Sequence, residues 1–596
     1  MAHLTPTDIE ELTSQGALTL PEDDLQHELF RKYILYVHAF MPVINLAAFF
    51  SPISRRDGTG KVSLLLFQAV MFASAAYVDP EYSAERGYQG RKSLRRTFFK
   101  RARLLYDLNC ESDSFAVLQA LLLLTCWYEK SEEDEEETWQ LMGIALSLAK
   151  SLGIHHDPEH LDISSDIKHL RKKVWWSCFV RDRLLSLGMG RPARIHPGDF
   201  DVPMLTMEDC EMKPLEDDIL CWVGPIPMAD DCPTKASIYL CFVELVQLCV
   251  RLGDSLLHEF SILSNPASVM AQVISMMVTS NTSAVQIQDL QPCDVELQGW
   301  QQSLTPGCRY TKGQFQSEVR RNESHRLLRL YQALLHVVYL TATALMHQSK
   351  MLQATDAEDG NAGSGLVRLS RNKVSNAAAE ITDIVSELSD DDQLRFAPTV
   401  TIPALMSATL THLMDIRSPS NTIRYTSIGR FFQCWQALHC LREMYASADH
   451  AVSFLETVIV KTGVRIPMLT MSPMFRDLGS VVVTTQSPTK RGSSGLSGQV
   501  AKSVDHDTVD QAVDYILASS GPGSAATYTG PGNLVGPSAH YPLQVFAQSQ
   551  PEETEAGAVS IGGDHHGEAW NGMEIGEDLF QTLAHFNTQT SFSFSF

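Results

Sequence analysis

From Leu25 onward, apolar residues recur at the three- and four-residue spacing that lines one face of a helix. Leu25, Leu29, Tyr36, Val37 and Phe40 form the first such run, and Pro42 stops it. Similar runs follow at Val62–Val78, Arg91–Leu108, Ser114–Glu129, Thr138–Leu152 and Ile167–Leu187, the last three bounded by an acidic block, Gly153 and Gly188. Further runs lie at Ser237–Phe260, Glu323–His347, Ser375–Leu388, Thr401–Ile416 and Phe431–Ala446. Alternating apolar and polar positions are lacking, and Val481–Thr485 is a lone β-branched run with no neighbour to pair with. The pattern predicts an all-α chain, and without a fixed-period repeat it predicts an irregular multi-helix bundle rather than a solenoid.

Residues 1–24 read as a polar lead-in, residues 25–486 as the helical domain, and 281–317 and 356–365 as disordered connections within it. From residue 487 to 596 Ser, Gly, Pro, Thr and Gln dominate, and such a composition buries too little apolar surface to offset chain entropy. This stretch is expected to be a disordered tail. Near its end Glu568–Phe586 interleaves acids with Trp570, Met573, Ile575, Leu579 and Phe580, the composition of activation segments that present aromatics to a partner's groove. A terminal helix folding back on the domain is the alternative.

The 596 residues carry a formal net charge of -23, which argues against unaided wrapping of nucleic acid. No stretch approaches the ~20 apolar residues of a membrane span, and the N-terminus has no basic start followed by an apolar run. A soluble, intracellular protein is expected. The twelve cysteines include no C-x-x-C pair, and Cys126, Cys178, Cys241 and Cys249 sit in apolar helical runs, so neither a disulfide framework nor a cysteine-rich zinc module is expected.

Motifs for chemistry are sparse. Gly188, Gly190 and Ala193 match the dinucleotide fingerprint, but the preceding Val174–Val180 reads as helix and Pro192 and Pro197 preclude a helix after it, so no cofactor is expected. His155, His156, Asp157, Glu159 and His160 are a dense ligand set, yet Pro158 breaks the shared face that His156 and His160 would need; a polar loop is expected rather than a metal site. The acids Glu132–Glu137 precede a helix, whose positive end favours them, and they read as a solvated helix entrance. Arg91, Lys92, Arg95, Arg96, Lys100, Arg101 and Arg103 place seven cations in thirteen residues. With Leu94, Phe98, Phe99, Ala102 and Leu105 forming an apolar stripe, they predict an amphipathic helix with a basic outer face, a candidate nuclear-import patch.

The densest unusual segment is His169–Leu205. Leu170, Val174, Cys178 and Leu185 share one helical face, and Asp182 falls on it, where a carboxylate needs a partner. Residues adjacent in sequence point elsewhere on a helix, so Arg181 and Arg183 are disfavoured and Arg191 or Arg194, returning after Gly190, is expected to supply the guanidinium. No nucleophile or general base stands beside this clamp, and no catalytic residue is expected.

Trp175, Trp176, Asp182, Arg183, Gly190, Arg191, Pro192, Asp199 and Pro203 together resemble the signature of the fungal-specific transcription factor domain, the middle homology region of fungal zinc-cluster regulators, of the cutinase transcription factor type. Val37–Ile44 resembles that domain's opening helix and its Pro-containing exit, and Ser114–Leu124 with Ala145–His155 its central helix pair. The resemblance implies an all-α regulatory domain in a nuclear protein that is not an enzyme and controls metabolic or secondary-metabolite genes. It implies partners among other transcription factors or coactivators, dimerisation, and a small-molecule effector. Family members carry six cysteines ahead of this domain, holding zinc in the DNA-reading module. No cysteine precedes Leu25 here, so contact with DNA is expected only indirectly or through a module this chain does not supply. A cytosolic helical small-molecule-binding protein or enzyme is the alternative.

Overall fold

The computed structural model describes residues 4–55, 60–126, 137–210, 214–224, 226, 231–261, 290–313, 323–353 and 361–462. Among them there is no strand; the chain is helical, as the periodicity requires. By contact the chain divides after Val458, and every described helix except the end of the last belongs to the unit before that point.

The lead-in is more ordered than its polarity suggests. Helix α1 (Pro6–Ser14) is closed by a capping box in which the Asp8 N–H donates to Thr5 Oγ1 (3.2 Å) and the Thr5 N–H to Asp8 Oδ2 (2.8 Å). Leu12 and Ala17 are fully buried, so this segment belongs to the domain. Helix α2 (Asp23–Lys32) runs into one π turn, Tyr33–Val37, where the His38 N–H reaches back five residues to the Tyr33 carbonyl (2.9 Å). There the Leu35 carbonyl accepts from Tyr331 Oη (2.5 Å).

Helix α3 (Leu46–Arg55) follows, then α4 (Leu64–Ser74), capped by Ser63 and buried at every position from Leu65 to Ser74. After the short α5 (Pro80–Glu85) come α6 (Gly90–Asp107) and α7 (Ser114–Leu124), the second helix that is apolar almost all round. Such helices belong at the centre of a bundle, and α4 does pack on both α6 and α7. Helix α8 (Glu137–Ser151) covers α7 and ends before Gly153, whose φ of +64° suits glycine. The 25-residue α9 (Ser165–Met189) ends at Gly190 in the left-handed conformation (φ +61°). Helix α10 (Asp217–Val223) leads to α11 (Cys232–Ser261), which packs on α9. Contrary to the sequence expectation, Cys232–Gly253 is long and apolar enough to cross a membrane, but 67% of it is buried inside the fold, as befits a core helix.

The two expected disordered connections are helical in part. Helix α12 (Leu290–Ser303) buries Leu297 and Trp300, and a 3₁₀ turn at Pro306–Cys308 lies against α11. Helix α13 (Glu323–Gln353) is followed by α14 (Asn361–Asp390), whose first residues were expected to be loop. Gly and Ser lower helix propensity by about 1 kcal/mol or less each, a modest amount at one end of a 30-residue helix. Helices α15 (Thr401–Asp415), α16 (Asn421–Leu441) and α17 (Ala446–Thr462) complete the described chain. Helix α13 packs on α11, α14 and α15, and α16 on α14 and α15. The expected tail 487–596, its acidic-hydrophobic segment 568–586 and the Val481–Thr485 run lie outside the described residues, as do Glu132–Glu136. All twelve cysteines are free thiols.

Candidate regulatory site: the signature bend and the basic helix

Helix α9 is 25 residues long, and everything from Lys173 to Met189 on it is buried. Its Trp175, Trp176 and Phe179 gather around Phe200 on the returning segment, with ring centroids 5.5–5.6 Å apart. Trp176 Nε1 donates to the Pro203 carbonyl (2.9 Å), although the Pro203 ring itself faces solvent. This aromatic cluster seats the bend on the helix.

Asp182 is fully buried, and its partners differ from those expected. Arg183 Nη1 donates to Oδ2 at 2.9 Å, and the backbone N–H groups of Arg194 (3.0 Å) and Ile195 (3.1 Å) donate to the same oxygen. The i±1 argument fails because the arginine stem is long enough to curl. The Arg183 guanidinium lies back over the Phe179 ring (4.3 Å) and donates through Nη2 to the Ile195 carbonyl (2.7 Å), tying carboxylate and bend together. The bend therefore contributes amides, and the helix contributes the cation. Burial lifts the Asp182 carboxyl above its ordinary range, while Arg183 and the two amides pull it back.

Arg191 and Arg194 take another role: their guanidinium groups lie 5.3 and 4.0 Å from the centre of the Trp139 ring on α8. Gly143, one turn along α8, makes room for this, since a Cβ there would sit 2.0 Å from Arg194 Nη1. Pro192 faces solvent and Ser186 Oγ donates to the Arg191 carbonyl, closing the helix end. Asp199 accepts from Lys150 Nζ (2.9 Å), which holds its carboxyl below the usual range. Sequence reasoning passed over Arg181, which is buried and bonds Thr125 Oγ1 (2.9 Å) and the Thr125 carbonyl on α7's exit, and Gly253 of α11, whose missing side chain leaves space for Arg183.

On α6 the outer-face expectation holds only in part. Arg91 and Arg95 are buried. Arg91 Nε donates to the Val78 carbonyl (2.5 Å), and Arg95 bonds the carbonyls of Met444 (3.1 Å) and Cys126 (2.9 Å) between the rings of Phe72 and Tyr445. Lys92 pairs with Asp449, and Arg103 with Asp107 and Glu137. Arg96 and Lys100 are exposed and Arg101 is half-buried. The signal was present: positions 91, 94, 95, 98, 99, 102 and 105 form one helical stripe, and the two arginines lie on it.

In the histidine loop, His156 Nδ1 lies 3.1 Å from Asp201 Oδ1, which also accepts the Asp157 N–H (3.0 Å), so this loop fastens the end of the signature. Among the described residues no three His, Cys, Asp or Glu side chains converge as a metal set.

The arrangement is that of a packed helical scaffold whose charged signature residues engage one another, the backbone, and Trp139 and Lys150 of α8. Residues 30–302 match the model of the fungal specific transcription factor domain. The chain is 35% identical to cutinase transcription factor 1 beta of Fusarium vanettenii, over 77% of this chain and 52% of that protein. It is 34% identical to a transcription factor of Fusarium pseudograminearum (83% and 56%) and 29% identical to transcription factor cpaR of Aspergillus oryzae (77% and 76%). The chain belongs to the family of fungal transcription factors that carry this domain. It spans about half the length of the first two of these relatives.

Proposed function

We propose that this chain is the regulatory part of a fungal transcription factor of the zinc-cluster type, acting in the nucleus on metabolic or secondary-metabolite genes. The observation that carries this is the match over residues 30–302 to a transcription factor domain, with the signature residues of that region engaged in holding the fold. A relative named for cutinase regulation supports the metabolic assignment. The net charge of -23 supports contact with DNA through another polypeptide segment, either a partner factor with which this chain pairs or a zinc-cluster module. The signature residues serve as a structural clamp rather than as catalysts. Nuclear import runs through the outward cations of α6, with Arg96 and Lys100 as its core and Lys92, Arg101 and Arg103 beside them; Arg91 and Arg95 are too buried to take part.

Deletion of the gene followed by transcript profiling tests the assignment: a coherent set of metabolic transcripts changes, whereas an unchanged profile in every growth condition overturns it. Tight, sequence-selective binding of DNA by the purified chain alone would overturn the indirect contact. A tagged R96A/K100A variant is expected to shift from nucleus to cytoplasm without loss of stability.

A further inference from the structure

The 3₁₀ turn Pro306–Cys308, between α12 and α13, lies against one face of α11 and is fastened on either side of Cys241. One helical turn before Cys241, Cys308 Sγ donates to the Ser237 carbonyl (4.0 Å), and Gly307 sits so close that a Cβ on it would lie 3.3 Å from Ser237 Oγ. One turn after it, Thr305 Oγ1 donates to Glu244 Oε1 (3.1 Å). Ser237, Cys241 and Glu244 recur at the spacing of a single helix face, so these contacts set the Cys308 thiol on that of Cys241, and the two thiols hydrogen-bond each other. Gln332 Nε2 of α13 donates to the Gly307 carbonyl (2.7 Å) and holds the same turn. Cys308 is fully buried and Cys241 is 4% exposed. The hydrogen bond with Cys308, and then burial, push the Cys241 thiol up, so the pair is inert while the turn is seated. Lifting the turn frees Cys308 for the loss of a few hydrogen bonds, whereas exposing Cys241 means moving a 30-residue helix.

We infer that Cys241 and Cys308 form a site of reversible oxidative modification, closing to a disulfide that joins α11 to the connection between α12 and α13. The oxidant is a hydroperoxide, met by Cys308 when the turn lifts. Its O–O bond breaks, an S–OH forms on Cys308, and water or an alcohol leaves. Re-seating of the turn returns the sulfenic acid to its neighbour. The Cys241 sulfur then attacks the Cys308 sulfur: the S–S bond forms, the S–O bond breaks, and the hydroxide leaves as water with the Cys241 thiol proton. Two thiols are oxidised by two electrons in all, and one hydroperoxide is reduced. Because the resolving thiol is buried against the site, the sulfenic acid is captured before a second oxidant molecule reaches it. The inference is independent of the proposed role in transcription.

The test is oxidation of the purified full chain with hydrogen peroxide under native conditions, followed by peptide mapping by mass spectrometry without reduction. The exposed Cys221 and Cys232 are expected to react first. A cross-linked Cys241–Cys308 peptide, lighter than the two separate peptides by two hydrogens, is expected to follow, with the helical circular dichroism unchanged and both thiols restored by dithiothreitol. In a C241A variant Cys308 loses its resolving thiol and should be recovered as sulfenic or sulfinic acid; the mapping of the native chain stands without this variant should it fail to fold. Four results overturn the inference: both cysteines remaining thiols after Cys221 and Cys232 are consumed, a cross-link from either to a different cysteine, a Cys241–Cys308 cross-link that forms only with loss of the helical signal, or a folded C241A chain whose Cys308 resists oxidation.

Discussion

Helices α6 and α9 both carry clusters of cations, and they place them differently. On α9 the buried Arg183 neutralises a carboxylate on its own helix and holds the returning chain. On α6 the buried Arg91 and Arg95 meet uncharged carbonyls from other parts of the domain, at Val78, Cys126 and Met444. Desolvation lowers the affinity of both α6 guanidinium groups for their protons, while each remains a cation at neutral pH. The difference teaches that a buried arginine need not mark a salt bridge. It joins segments by bonding the open carbonyls at helix ends, which lack partners within their own helix.

The comparison breaks most sharply at Asp182. The D182A variant leaves Arg183 buried without its counter-ion and two amides without an acceptor; a loss of about 3–5 kcal/mol is expected in urea unfolding. A loss below about 1 kcal/mol would mean that the clamp is no more than a surface pair. Next comes R95M, which keeps apolar volume between Phe72 and Tyr445 but orphans two carbonyls. A cost of about 2 kcal/mol is expected, against less than about 0.5 kcal/mol for K100A on the exposed side of the same helix. Equal costs would erase the distinction between the two faces of α6.

A third buried polar cluster, uncharged, gives the comparison a pH axis. His412 of α15 lies 2.8 Å from Thr382 Oγ1, and burial with Arg430 nearby pushes its imidazole down to about 4. As pH falls, the unfolded chain takes up this proton near 6.5 while the fold resists until about 4. Stability from this residue is therefore complete above about pH 7 and falls by about 2 kcal/mol at pH 5. The H412Q variant should lose less than wild type over that interval in paired urea titrations. The smallest effect is expected for G143A. Its new Cβ pushes the Arg194 guanidinium off Trp139, a loss of about 0.5–1 kcal/mol that the helix preference for Ala offsets, so stability changes by less than about 0.5 kcal/mol while Trp fluorescence shifts.

Helix positions were legible from the sequence because apolar spacing and the Gly and Pro stops act locally: α9 was expected over Ile167–Leu187 and spans Ser165–Met189. The whole of α12 was missed because its polar stretch is helical with the packing of Leu297 and Trp300, which a local pattern does not contain. The first part of α14 was missed because Gly and Ser weigh against a helix locally, while the stretch is only the start of a 30-residue helix. For the clamp, Asp182 was recognisable as a buried acid with a partner in the bend. That the bend would offer Arg194 and Ile195 amides while Arg183 supplied the charge depends on a side chain curling along its own helix, which spacing does not encode.

The extra residue at Tyr33–Val37 is absorbed in one widened turn, so the chain before and after it keeps the faces that a regular helix would give it. Removing one residue there would narrow the turn to an ordinary one and leave Ala39 and Met41 on their buried side. Adding a second residue has no such outlet and would turn the following side chains by about 100°, so this stretch should bear the loss of one codon better than the gain of one.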